Sequence, residues 1–390
     1  MTSKTALVLD GRAVSSLAVV RSLGQKDYSI HCGESFKWNI TRFSKYVDKT
    51  IVYPSAEDKP EQFVNTLLNV VRQIGYDVII PTRDATTKLL AANQDRFNQY
   101  TNLYLAEKHE VATFMDKGET IKLAQDADIP TPTTYFPEED DLKTIKAKIE
   151  YPALVRARQS SGSRGIIRAE SDEELEKAYE TVAAEYETPM IQEYVEKSGY
   201  TTACILLDDD QELVASFSYE RVKEYPLSGG PTVVGVSTDD TEAKQYAKDL
   251  LQEGSWKGVA EVEFILDQDG TPRLLEVNPR FWMPVHLAVT SGVDFPHMIA
   301  ELALNQPVGS PTTYKTSVTY RWVLPNEILH LIKSNDKTTN IREMVQSTWE
   351  NTSYGVLSVH DPGPIVGTAV QSISFLLDAE KRKMVLDRDW

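Results

Sequence analysis

With 390 residues, 41% of them hydrophobic and 25% charged, the chain has the size and balance of a folded protein of two or three domains. Its 58 Asp and Glu against 41 Lys and Arg give a net charge of −17, which argues against nucleic acid or an anionic membrane surface as the main partner. Only two cysteines occur, no apolar run approaches the ~20 residues of a membrane span, and the N-terminus lacks the apolar core of a secretion signal, so a reducing cytoplasm is the expected setting.

Residues 5–10 form an apolar strand pattern that breaks at Asp10-Gly11, Ser15 to Leu23 has helical periodicity, and Tyr28 to Cys32 reads as a second strand. The opening is therefore a βαβ unit. Arg42 to Tyr53 adds a helix-to-strand pattern, Glu61 to Ile74 an amphipathic helix, and Asp77 to Pro81 a buried strand that runs into Thr82-Arg83-Asp84. Such alternation predicts an open parallel sheet with ligands at the carboxyl ends of its strands. Thr82 and Asp84 stand at such an end, either as substrate contacts or as the cap of the next helix. The first loop lacks the Gly-x-Gly-x-x-Gly fingerprint, which disfavours a nicotinamide enzyme. One linker helix is expected from Lys108 to Asp128, ended by Pro130 and Pro132. The predicted division is 1–107, 108–310 and 311–390, the last with strands near Thr316 to Trp322 and Gln371 to Leu377.

In the second block the strand Pro152 to Arg156 delivers Arg156 and Arg158 to a loop of small residues, Gln159 to Gly165, before a strand at Ile166. Converging backbone N–H groups in such a loop make an anion nest, although a plain turn has the same composition. It is not a Walker loop, because the Gly-Lys-Ser/Thr and following helix are missing. Thr188 to Val195 is a strand ending in an extended polar segment whose main chain suits an adenine edge. Lys117 is in reach of phosphates from the linker helix.

Residues 258–280 read as a β-hairpin turning at Asp267 to Gly270. Side chains alternate along a strand, so Glu261 and Glu263 share one face, as do Glu276, Asn278 and Arg280 on the partner strand. Val262, Phe264, Leu266, Leu275 and Val277 are then expected in the core. If the two polar sets meet across the ladder, Glu263, Glu276 and Asn278 form a cluster of hard oxygen donors suited to Mg²⁺ on a nucleotide polyphosphate, with phosphate and water completing the coordination; otherwise the hairpin is an acidic one whose charges face solvent.

In this order the residues resemble the ATP-grasp superfamily over nearly the whole chain. The resemblance rests on a lysine before a Pro-rich linker, a strand with a basic residue, a small-residue loop, Gln192-Glu193-Tyr194-Val195, and the hairpin ending Leu275-Glu276-Val277-Asn278-Pro279-Arg280. It implies a mixed α/β and α+β fold: an N-terminal Rossmann-like pre-grasp domain at 1–107, an ATP-grasp domain at 108–310, and a closing subdomain at 311–390. Within the second, about 130–197 would be the ATP-binding subdomain and 258–280 the metal-binding hairpin. It further implies that Lys117 and Arg156 touch ATP phosphates beneath a mobile loop formed by Ser160, Ser161, Gly162, Ser163 and Gly165. Glu193 and Val195, with Gln192 nearby, would meet adenine. Glu263, Glu276 and Asn278 would hold Mg²⁺, with Mn²⁺ as a substitute, and Arg280 would face the reacting carboxyl-phosphate. Two departures stand out. Arg156 occupies a position that is usually lysine, and Ser198-Gly199-Tyr200 stands where many relatives place a ribose-binding Glu, leaving Glu196 as a substitute.

Within the superfamily the chain looks most like carboxylate–amine ligases of the D-aspartate ligase and predicted ATP-dependent carboligase type. The segment Tyr219 to Gly230 and the Asp361-Pro362-Gly363-Pro364 run carry this likeness. Arg221, a catalytic candidate together with Arg280, and Lys223 either neutralise a substrate carboxylate or decorate an exposed strand. The implied reaction joins a small-molecule carboxylate to an amine through an acylphosphate, releasing ADP and phosphate. Bicarbonate activation, as in carboxylases, and a non-catalytic nucleotide-binding scaffold are the alternatives. Neither nucleic acid nor membrane is an expected partner, and a homodimer is left open. His286 and His297 read as helix residues.

Overall fold

The N-terminal alternation folds into a four-stranded parallel sheet made of β1 (Lys4–Val8), β2 (Tyr28–Glu34), β3 (Lys49–Val52) and β4 (Val78–Ile80) in the order β3-β2-β1-β4. The computed structural model describes residues 3–160, 164–227, 229–346 and 351–377. Helices α1 (Val14–Gly24), α2 (Pro60–Ile74), α3 (Asp84–Ala91) and the short α4 (Gln94–Phe97) complete this layer. Alternate β1 residues serve opposite faces. Leu7 packs with Phe63, Leu67 and Val71 of α2, whereas Ala6 and Val8 pack with Val19, Trp282 and Phe295. At the end of β1, Asp10 is buried in a left-handed conformation, φ 62°. Its carboxylate accepts from the Thr82 N–H (3.0 Å), the Arg83 N–H (3.1 Å) and the Thr86 hydroxyl (2.6 Å). Thr82 also bonds Ser16 Oγ at 2.7 Å, so it is consumed inside the fold and is not a substrate contact.

The linker is two helices, α5 (Lys108–Met115) and α6 (Lys117–Asp126). Asp116 is extended between them and its carboxylate accepts from the Gly118 and Glu119 N–H groups. A new N-terminus with its own cap replaces the continuous helix that periodicity predicts, because a short acidic side chain bonds the orphan donors of the next turn.

A second sheet contains β5 (Thr134–Tyr135), β6 (Ala153–Arg156), β7 (Ile166–Ala169) and β8 (Met190–Glu193) in the order β5-β8-β6-β7, all antiparallel. Helices α7 (Leu142–Lys148) and α8 (Asp172–Ala183) cover it. The largest sheet has seven strands in the order β13-β12-β9-β10-β11-β14-β15. It comprises β9 (Gly199–Leu207), β10 (Leu213–Glu224), β11 (Thr232–Thr238), β12 (Gly258–Leu266), β13 (Pro272–Asn278), β14 (Thr319–Arg321) and β15 (Thr352–Tyr354). Between these strands lie α9 (Thr241–Glu253), α10 (Val285–Ser291), α11 (Phe295–Ala303), α12 (Ile328–Lys333) and α13 (Lys337–Gln346). Ala203, Ile205, Val262 and Phe264 turn one sheet face toward α5, α6 and α9; Cys204, Leu206 and Phe217 turn the other toward Trp282, α10 and α11. His286 and His297 lie in α10 and α11, and both cysteines are free and buried.

Two expectations fail here. Gln371 to Leu377 is the end of α14 (Gly363–Leu377), not a strand. Its alternation belongs to a longer helical run, and Gly363 and Gly367, about one turn apart, let that helix press on Phe43 and Ile40. In the hairpin, a bulge between Glu263 and Phe264 pairs Phe264 with Leu274, so Leu274 is fully buried while Leu275 lines a cavity. Leu266 is only half-buried.

The C-terminal segment is tied to the first layer by a buried ion pair. Arg21 Nε meets Asp361 Oδ2 at 2.9 Å, Arg21 also donates to the Val356 carbonyl at 2.8 Å, and Asp361 accepts from Ser44 Oγ and the Lys45 N–H. Among the described residues, no helix is long and apolar enough to cross a membrane.

Candidate active site

The second sheet, the seven-stranded sheet and α3 of the N-terminal layer line a cavity of ≈ 860 Å³. Its floor is the side of the large sheet where two rows of side chains, fixed by strand register, become polar toward β12 and β13. One row runs Phe217, Cys204, Glu261, Asn278 across β10, β9, β12 and β13; the next runs Tyr219, Thr202, Glu263, Glu276. Glu261 and Glu263 are thus adjacent on one strand face and opposite Asn278 and Glu276 on the other, as the hairpin pattern predicts.

Carboxylates crowded in this way need compensation. Burial, followed by repulsion from Glu263, pushes the Glu261 pKa up to about 8, and the Tyr219 hydroxyl donates to Glu261 Oε1 at 2.5 Å. Burial also raises Glu263, with the Arg221 guanidinium opposing it through a short ion pair. Burial works to raise Glu276, but Lys117 and Arg156 outweigh it and hold its pKa below the ordinary value. Asn278 Nδ2 bridges Glu261 Oε2 (2.9 Å) and Glu263 Oε1 (3.0 Å), while Asn278 Oδ1 accepts from Arg280 Nη2 (2.9 Å).

Four cations stand over this floor, each delivered by a different element. Lys117, the first residue of α6, lies 3.3 Å from Glu276 Oε2 and donates to the Ser160 carbonyl at 2.6 Å. Arg156 ends β6; it is buried, its Nη1 donates to Gln192 Oε1 (2.8 Å), and its Nε has no partner among the described residues. Burial lowers the Arg156 pKa, with Glu276 the main opposing charge. Arg221, on β10, lies over the Tyr200 ring at 4.8 Å, and its Nε is likewise buried without a partner among the described residues. Arg280 follows β13 and meets Asp84 through Nε (2.6 Å) and Nη2 (3.3 Å). Burial works to lower the Arg280 pKa, and Asp84 outweighs it.

Other predicted positions have different fates. Gln192 lies in the cavity wall, but its amide is occupied by Arg156 and Thr134 (2.9 Å), so the side chain orients Arg156. The Glu193 side chain pairs with Arg273 at 3.3 Å, and Val195 lines the cavity just beyond β8. Ser160 lines it too. Ser161, Gly162 and Ser163 lie outside the described residues. Gly165 has φ 65°, and its carbonyl accepts from the Ala157 N–H at 2.7 Å. A Cβ there would meet Ala157 and Tyr186, so close packing as well as backbone conformation requires glycine. Arg158 does not face the cavity: it pairs with Asp116 (2.8 Å), Glu119 (2.6 Å) and Glu138 (2.5 Å). Lys223 pairs with Glu343 at 2.5 Å, because register shifts flank it on β10 and turn it from the face of Arg221. Glu196 is exposed and outside the lining, whereas Lys197 and Tyr200 belong to it. The Asp84–Arg280 pair, spanning 196 positions, and the Tyr219–Glu261 bond had no signal in the chain's local patterns.

The donor set suits a hard divalent cation: Glu263 and Glu276 face each other with an amide oxygen beside them, and their mutual charge is offset by cations that a polyphosphate would engage. Among the described residues, no group of three or more His, Cys, Asp or Glu is arranged to hold a metal, so the asparagine and a ligand's own oxygens are needed to complete the set. The raised Glu261 pKa has a measurable consequence. Folding takes up a proton between the ordinary Glu value, near 4.5, and about 8, so the stability gained in acid is lost as pH rises through that window. Glu261→Gln, which keeps the acceptor for Tyr219, is expected to gain roughly 5 °C in unfolding midpoint relative to wild type between pH 5 and pH 8.5. Thermal scans of both proteins across that range test it; a difference independent of pH contradicts it.

A seven-stranded sheet and a smaller four-stranded one facing one cleft, behind a parallel α/β layer, have the ATP-grasp fold. A family model described as "ATP-grasp in the biosynthetic pathway with Ter operon" matches residues 185–324. A D-alanine–D-alanine ligase of Halorhodospira halophila is 26% identical over 202 residues, 48% of this chain and 65% of that protein. The vancomycin/teicoplanin A-type resistance protein VanA of Enterococcus faecium is 27% identical over 214 residues, 50% of this chain and 59% of its own. These matches thus span 59% and 65% of the two relatives' lengths. The structure of biotin carboxylase from Campylobacter jejuni superposes with a TM-score of 0.69 at 16% identity, over 81% of this chain and 74% of that one.

Proposed function

We propose that the chain is an ATP-dependent carboxylate–amine ligase of the cytoplasm, acting through an acylphosphate. The observation that carries this reading is the cavity's charge: eight Lys and Arg against six Asp and Glu line it, in a chain whose net charge is −17. A locally basic cleft in an acidic protein suits a polyanion. Lys117, Arg156 and Arg280 are the phosphate-handling cations, and the Nε of Arg156, which has no partner among the described residues, is a donor ready for an anion. Glu263, Glu276 and Asn278 would hold Mg²⁺, or Mn²⁺ in its place. The metal supplies charge neutralisation on the polyphosphate.

A carboxylate and a triphosphate repel each other, so the residues' task is to bring them together in line and stabilise the charge that develops. Arg280, beside the hairpin oxygens, is placed for the carboxyl that accepts the phosphoryl group. Arg221, locked to Glu263 and stacked on Tyr200, is held rigid for an anionic group at the opposite wall. An amine then displaces phosphate from the acyl carbon, giving an amide, inorganic phosphate and a proton. Glu193 and Val195 are the proposed adenine contacts through their main chain.

The test is phosphate release from Mg-ATP across a matrix of carboxylates and amines, with product mass recorded. Release is expected only when both partners are present, with a product equal to their sum less one water. Bicarbonate-dependent turnover that needs no amine supports carboxylation instead, and ATP left intact by every pair supports a nucleotide-binding scaffold.

A further inference from the structure

The cavity wall contributed by the N-terminal layer is α3, and two charged residues of that helix line it: Asp84 and Lys88. They are four positions apart, hence on one helix face one turn apart, with Cβ atoms about 5–6 Å from each other. Asp84 is held by Arg280, which leaves 45% of its side chain exposed, and Arg280 keeps its pKa below the ordinary carboxylate value against the raising effect of burial. Lys88 is exposed and has no ion pair among the described residues; in particular it is not paired with Asp84. The helix thus presents an anion and an uncommitted cation to the cavity from adjacent turns of one face, with Asp84 touching the arginine assigned above to the reacting carboxyl.

We infer that Asp84 and Lys88 form the recognition subsite for the amine substrate, and that this substrate is a free amino acid whose ammonium meets Asp84 and whose carboxylate meets Lys88. The inference rests on the ligase reading and names its acceptor class. A polyamine would set a second cation against Lys88. A peptide N-terminus would carry its carboxylate too far away. A simple amine would leave the lysine without a role. Asp84 sets the nitrogen on the Arg280 side of the cleft, where the acylphosphate would form.

The test is calorimetric titration of the full chain, loaded with Mg²⁺ and a non-hydrolysable ATP analogue, with the standard amino acids in both enantiomers, followed by the amide and the decarboxylated amine of the tightest binder. Those two derivatives are expected to bind at least about 10-fold more weakly than the amino acid, the scale of one charge-assisted hydrogen bond. Lys88→Met is expected to weaken the amino acid about 10-fold, the amide less than about 2-fold, and the nucleotide not at all. Because Lys88 is exposed, the variant retains the fold, which its unfolding midpoint checks. Absence of amino-acid binding, or equal losses for amino acid and amide, overturns the inference. Phosphate release measured in parallel separates the two levels. Lys88-dependent amino-acid binding without ATP consumption defeats the ligase reading and leaves the subsite standing, whereas turnover of polyamines indifferent to Lys88→Met defeats the subsite alone.

Discussion

Glu276→Gln and Asn278→Ala are expected to lose ATP turnover by at least about 100-fold while unfolding within a few degrees of the parent protein. Both side chains lie on the cavity face of β13, whereas Leu274 and Val277 supply that strand's buried contacts, so the fold does not depend on the oxygens that are removed. Glu276→Gln also relieves one member of a crowded carboxylate set, which offsets part of the loss of its pairing with Lys117 at 3.3 Å and with Arg156. Asn278→Ala removes the amide that bridges Glu261 and Glu263, so its cost in stability is the larger of the two. Thermal unfolding and ATP consumption measured on the same preparations decide the matter. Folded variants with near-normal turnover exclude these residues as metal ligands.

Arg280→Ala is expected to slow phosphate release about 100- to 1000-fold while weakening nucleotide binding far less, because in the proposed reaction its charge would act where the acylphosphate would form. With ¹⁸O in the substrate carboxylate, label is expected in the released phosphate, since the acyl oxygen leaves with the phosphoryl group. Arg280→Lys recovers part of the rate at most. Arg280 makes simultaneous bonds from Nε, Nη1 and Nη2 to Asp84, the Phe281 carbonyl and Asn278, and an ammonium cannot span that fork. Asp84→Ala is the informative companion, because it frees the guanidinium without removing it. Label that stays wholly in the amide product rules out the acylphosphate route.

The hairpin was legible in the chain because its signal is local. A turn at Asp267 to Gly270 and a period of two suffice to bring Glu263 opposite Glu276 and Glu261 opposite Asn278. The bulge that trades Leu275 for Leu274 was not, since one extra residue leaves no mark on composition or alternation. Lys117 could be nominated from its place before the prolines, yet the break that makes it a helix N-terminus depends on the Asp116 carboxylate capping the next turn, a choice that periodicity does not register. Arg156 and Arg158 look equivalent in sequence. Only the positions of Asp116, Glu119 and Glu138 turn Arg158 into a structural tie and leave Arg156 to the cavity. Asp84 and Thr82, two residues apart at one strand end, diverge for the same reason: Asp10 and Ser16 claim Thr82, and a distant arginine claims Asp84.

The Arg21–Asp361 tie also orders events in time. A ribosome delivers Arg21 more than three hundred residues before it delivers the carboxylate that neutralises it, and Val356, whose carbonyl the same guanidinium needs, comes only slightly earlier. A guanidinium cannot stay buried without its partner at tolerable cost. The N-terminal layer therefore emerges early, yet the buried pairing of its Arg21 is completed only after residues 356–361 are made, so the first domain translated is not the first one finished in every contact.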